Sequence, residues 1–134
     1  MNISSLRDGL KVRLATIRGL RAYDTIPDNF APPAAIVAPP VRIQYGTSLG
    51  RAFDSVTFTV RLLVAKATDR SAQDRLDAYL DDSGASSIIA AIEGDTSLGG
   101  AANLVRVLTC QGIGVYDYAG VPLLGAEFTV EVIA

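Results

Sequence analysis

The densest group of reactive side chains in this sequence is a run of carboxylates, Asp74, Asp77, Asp81 and Asp82. Clustered carboxylates suit a metal ion or an acid–base pair. The alternating oxygens and central glycine of an EF-hand loop are missing here. At helical spacing these residues face water from one side of an amphipathic helix. Gly46-Thr-Ser-Leu-Gly50-Arg51 has the glycines of a phosphate cradle but lacks Gly-Lys-Ser/Thr, and no helix start follows it, so it reads as a loop. Gly112-Ile-Gly114 lacks the third glycine and the following helix of a dinucleotide fingerprint, and reads as a bend in a strand. Cys110 is the single cysteine, and the chain contains no histidine. Histidine-based triads are therefore excluded, and with them the commonest general base and metal ligand. A lone thiol at the end of an apolar strand reads as a small buried hydrophobe. The remaining polar group is a basic helix face, Arg7, Lys11 and Arg18. It has three readings: a solvated face, a contact with an acidic neighbouring subunit, and a short DNA contact.

Composition narrows these choices. The 134 residues fit one domain, 1–134, able to bury about two-thirds of its unfolded surface. Hydrophobic residues at 49% against 19% charged describe a foldable chain. The mean hydropathy of +0.31 points to surface reserved for other subunits. Residues 1–21 carry five cations against Asp8, a sum of +4, so the net charge of −2 leaves −6 for the rest. That is no basic footprint for nucleic acid. No apolar run approaches the ~20 residues of a membrane span. The start, Met-Asn-Ile-Ser-Ser-Leu-Arg-Asp, lacks the apolar core of a signal peptide, which predicts folding in a cytoplasm.

The elements that must position these groups are legible from periodicity. Ile3, Leu6, Leu10, Leu14 and Ile17 predict a helix over 3–20, capped by Ser4 or Ser5 and stopped at Gly19. Prolines 32, 33, 39 and 40 bar a helix over 24–40 and bracket an extended piece, Ala34–Ala38, suited to a sheet edge. Val41–Tyr45 reads as a strand, and Gly46–Phe53 as a loop long enough to project. Val56–Lys66 alternates cleanly, with Val56, Phe58, Val60, Leu62 and Val64 on the core face. A helix over Asp69–Asp81 has Ser71 and Asp74 as a capping box; a shorter one over Ser86–Glu93 turns Ile88, Ile89 and Ile92 inward and stops at Gly94. Asn103–Cys110, a bent Gln111–Tyr118 and Leu123–Ile133 complete the strands, with turns at 97–100 and through Gly120. Helix, strands, two helices and strands predict an α+β fold: a mainly antiparallel sheet with an N-terminal helix and a central two-helix block packed on it.

Several stretches stand in a familiar order. Pro32-Pro-Ala-Ala-Ile-Val37 comes first. Tyr79-Leu-Asp-Asp-Ser-Gly-Ala-Ser-Ser-Ile-Ile-Ala-Ala-Ile-Glu-Gly-Asp-Thr-Ser-Leu-Gly-Gly100 follows, then Val105-Arg-Val107 and Leu124-Gly-Ala-Glu-Phe-Thr-Val-Glu-Val132. This series is similar to tail terminator (minor tail) proteins of long-tailed bacteriophages, siphophages, infecting actinobacteria. The likeness runs over most of the chain. It implies a non-enzymatic virion subunit without cofactor or metal. It also implies a homohexameric ring at the head-proximal end of the tail tube, touching tube protein and head-closure or connector protein, with DNA passing through without specific binding. No site motif transfers residue by residue. The interface candidates Arg7, Lys11, Arg18, Tyr45, Leu49, Arg51 and Phe53 are chosen from this sequence, as is a channel-lining acidic face of Asp74, Asp77 and Asp81 that would repel passing DNA. Another neck protein of the same virion, such as a head-closure or head-completion subunit, a small hydrolase or nucleotide-binding enzyme, and a DNA-binding module are the competing readings.

Overall fold

A computed structural model describes residues 2–25, 27–29, 31–46 and 53–134. Among these residues the fold is α+β, with three α-helices, a short 3₁₀ turn at Leu98–Gly100 and a six-stranded, mostly antiparallel sheet. Helix α1 spans Ile3–Leu14, and Leu6, Leu10 and Leu14 on one stripe are fully buried. Its cap is not Ser4 or Ser5 but Asn2, whose side chain accepts from the Ser5 N–H at 3.1 Å. The helix also ends earlier than its apolar periodicity suggests. The Thr16 hydroxyl donates to the Arg13 carbonyl at 2.6 Å, and the Ile17 N–H bonds Leu14 in the tighter 3₁₀ pattern. Ile17 and Leu20 still reach the core, but from turns.

Strands β1 (Arg21–Tyr23), β2 (Ala34–Val37), β3 (Arg42–Gln44) and β4 (Ser55–Lys66) follow. β5 (Leu104–Tyr118) and β6 (Val121–Ile133) close the chain as a hairpin. The sheet order is β1-β2-β4-β6-β5, with β3 also paired to β4. The extended piece after Pro33 is therefore not an edge. β2 lies between β1, its parallel neighbour, and β4, and all four of its residues are buried. Pro39 and Pro40 instead break one long pairing into two. Val37 stands opposite Val60 and Arg42 opposite Thr57, so the proline side carries two extra residues. Ala38 and Val41 still donate to Thr59 and Thr57, while the two prolines have no N–H to offer.

On one face of the sheet, Val56, Phe58, Val60, Leu62 and Val64 of β4 join Phe128, Val130 and Val132 of β6, all fully buried under the helices. Each such side chain contributes about 1.5–3 kcal/mol on burial. The other face of β4 changes character along its length. Thr57, Thr59 and Arg61 stay half-buried, whereas Leu63 is covered by Ile36, Leu123 and the rings of Tyr23, Tyr116 and Tyr118. The alternation of β5 slips because the strand carries two register shifts, at 107/109 and 111/114. The second is the bend expected at Gly112, whose φ of +63° favours glycine.

Helices α2 (Ala72–Leu80) and α3 (Ile88–Glu93) pack on the core face, and α3 touches both α1 and α2. Ser71 does not form the expected capping box, since its side chain makes no cap bond to the helix. Asp69 acts instead, accepting from both the N–H and the hydroxyl of Ser71 at 2.9 Å. α3 keeps a true cap in Ser87, while Ile88 and Ile92 are buried and Ile89 is only half-buried. No helix among the described residues is long and apolar enough to cross a membrane.

Candidate assembly interface

The basic face is set by α1. Arg7 and Lys11 lie one turn apart, half-buried beside the leucine stripe, and Arg18 is exposed in the turn beyond the helix end. None of the three has an ion-pair or hydrogen-bond partner among the described residues. Arg13, on the same helix, is used internally: its Nε donates to the Ala91 carbonyl at 2.9 Å and ties α1 to α3.

The acidic face is set by α2. Asp74 and Asp77 are exposed along the helix, and Asp81 and Asp82 follow at its C-terminal end. Asp77 accepts from Gln73 at 2.8 Å, within the helix. Asp81 accepts from the Ser83 N–H at 3.4 Å. No set of three ligating side chains converges on a metal position among the described residues. The basic trio thus lies on and just beyond α1, and the acidic run on and just beyond α2, each helix packed against α3.

Tyr45 and Phe53 flank the loop that was expected to project. Both are exposed, and the Gly46 N–H donates to the Asp54 carboxylate at 2.8 Å, pinning the loop base between them. Leu49 and Arg51 lie outside the described residues.

Sequence reasoning missed the apolar edge of the sheet. Among the described residues β5 pairs with β6 on one side only, and it exposes Leu104, Leu108, Ile113 and Val115, the last two at 55% and 61%. Between Arg106 and Asp117 the strand carries no charge. Two of its backbone groups are already engaged. Glu93 accepts from the Val107 N–H at 3.0 Å, and the Tyr116 hydroxyl donates to the Gly112 carbonyl at 2.6 Å. The signal was present in the apolar residues that fell out of alternation, but the register shifts hid which side of the strand they take.

A polar cluster on the outer sheet face joins Arg61, Tyr116 and Glu127. The Arg61 guanidinium stacks 5.4 Å from the Tyr116 ring centre and lies 3.5 Å from Glu127. Burial opposes its charge, but Tyr118 and Glu127 outweigh that and hold its pKa up. The Tyr116 hydroxyl is raised by burial and by the adjacent Glu127, so it stays protonated and holds the bulge at Gly112. Cys110 is half-buried, and burial pushes its thiol pKa up, away from thiolate chemistry. A groove of about 630 Å³ runs between α1 and the 98–100 turn, lined by Ser4, Asp8, Arg13 and Asp95 among others. Asp95 there is committed to the turn: it accepts from the Ser97 hydroxyl at 2.6 Å and from the Ser97 and Gly99 N–H groups, which lower its pKa.

The sequence matches no protein-family model, and no curated protein matches it.

Proposed function

We propose that this chain is a structural virion subunit, a tail terminator whose copies form a ring, most simply a hexamer, on the head-proximal end of a phage tail tube. The ring would end tube polymerisation and present a surface to head-closure or connector protein, with DNA passing through its lumen. The observation that carries this reading is the long apolar edge of β5, uncharged between Arg106 and Asp117. An edge strand exposing Leu104, Leu108, Ile113 and Val115 is a pairing and aggregation hazard unless another chain covers it. At the far side of the sheet, β3 is flanked by a second exposed set, Val41 and Tyr45. Two unlike patches on one subunit suit head-to-tail contacts, which close into rings when the rotation permits. Asp95 and Tyr116 serve a turn and a bulge, and the charges of Arg7, Lys11, Asp74 and Asp77 lie on outer helix faces, which fits a subunit that works through contact and not through catalysis.

The deciding experiment adds the purified chain to polymerising tail-tube protein and counts capped ends by electron microscopy. The expected result is a ring at one end and no further growth from that end. Unchanged tube growth, with binding to filled heads, would replace this reading with a head-closure or connector role in the same neck.

A further inference from the structure

We propose that neighbouring copies of this chain join by the outer face of α1 on one copy meeting the outer face of α2 on the next. This rests on the ring reading for its setting, and it names the contact within it. Residues 1–18 carry four cations, Arg7, Lys11, Arg13 and Arg18, against Asp8, a sum of +3. Residues 69–82 carry five carboxylates, Asp69, Asp74, Asp77, Asp81 and Asp82, against Arg70 and Arg75, a sum of −3. The two segments are equal and opposite, yet no ion pair joins them among the described residues. The ion pairs found there join other partners: Arg61 with Glu127, Arg106 with Glu131 and, inside the acidic segment itself, Arg75 with Asp69.

The spacing matches as well as the charge. Arg7 and Lys11 are four residues apart, about 6 Å along the helix axis and on one face. Asp74 and Asp77 are three apart, and Asp81 continues the stripe within about 11 Å of Asp74. Asp8 lies about 100° round α1 from Arg7 and about 60° from Lys11, so it borders the basic face and leaves it a net positive charge. Arg75 is held by Asp69 at 3.8 Å, which leaves the later carboxylates uncompensated. One subunit cannot satisfy its own charges through α3, but a second copy offers each face its complement. Because every copy carries both faces, the contact propagates from subunit to subunit. The acidic face is thereby assigned to a neighbour and not to the lumen.

Charge reversal tests this with a built-in rescue. Arg7→Glu/Lys11→Glu makes both faces acidic; Asp74→Lys/Asp77→Lys makes both basic. Sedimentation of the full chain at low ionic strength should show wild-type assemblies that dissociate as salt rises. Each double variant alone should associate about tenfold or more weakly, while circular dichroism confirms an unchanged fold. An equimolar mixture of the two variants should restore assembly, since each acidic face then meets a basic one. A wild-type chain that stays monomeric at low salt overturns the contact, as do variants that assemble normally or a mixture that does not recover. A mixture restored only to a dimer keeps the contact and overturns the ring; tube capping in the absence of this salt-sensitive association keeps the terminator and overturns the contact.

Discussion

Single residues in this fold are constrained most where backbones approach each other. Gly125 of β6 stands opposite Leu63, at the point where the register of β4 shifts between Leu63 and Ala65. A Cβ there would run into the Leu62 carbonyl oxygen, which is rigid backbone and cannot swing aside. Gly125→Ala is therefore expected to cost about 3 kcal/mol or more, in the range of core overpacking. Thermal melting checks it, and a Tm within a degree or two of wild type would contradict the close approach. Asp95 makes a different prediction, in pH. Its carboxylate accepts from the Ser97 hydroxyl and from two turn N–H groups, so its folded pKa lies below that of the unfolded chain. A depressed carboxylate pKa stabilises the fold above the unfolded value, and that contribution is lost as pH falls through the folded one. The Tm gap between wild type and Asp95→Asn should be fully open at neutral pH and should close as pH drops below about 4. A gap that stays constant into acid would show that the charge of Asp95 is irrelevant to the turn.

At the scale of elements, the α2–α3 corner depends on one buried hydroxyl. The Ser87 Oγ accepts from the Ala90 N–H at 3.1 Å and donates to the Asp81 carbonyl at 2.6 Å. It thus caps the start of α3 and satisfies the end of α2 at once. Ser87→Ala should cost about 1–2 kcal/mol, while Asn2→Ala, at an exposed cap, should cost about 0.5–1 kcal/mol. Urea denaturation gives both values, and equal losses would mean that the double duty of Ser87 adds nothing. This corner also illustrates what the sequence made legible. Ser87 lies within the predicted start of α3, and the apolar periods of α1, β4 and β6 point to the correct faces. Those signals are local, so one chain suffices to read them. The position of β2 was not legible. Prolines on both sides suggest an edge, but the parallel partner β1 comes from residues 21–23, too short and too polar to announce a strand. The capping box at Ser71 failed too. Ser71 already has helical backbone angles, φ −86° and ψ −4°, not the extended ones of a capping residue, and its hydroxyl turns back to the Asp69 carboxylate.

For the whole molecule, the charged faces were legible in the sequence as runs of residue types, whereas the apolar edge emerged only with the sheet order. Leu108, Ile113 and Val115 look like core residues until β5 is placed last in the sheet, with two register shifts tilting them outward. That placement lets interface and stability be separated. Ile113 and Val115 sit in the distal half of β5, more than half exposed, so replacing them removes little burial. Ile113→Lys/Val115→Lys is expected to leave the folded chain within about 0.5–1 kcal/mol of wild type. Lysine on an edge is also one of the devices by which sheets refuse a partner. The variant should therefore melt like wild type, remain monodisperse at high concentration, and fail to assemble on tail tubes. Melting and sedimentation read the two effects independently. A variant that still forms rings would free the distal edge from assembly and shift the apolar contact to Val41, Tyr45 and Phe53 across the sheet. A variant that unfolds would mean that Ile113 and Val115 support the β5–β6 hairpin itself, through neighbours such as the half-buried Leu124 opposite Val115.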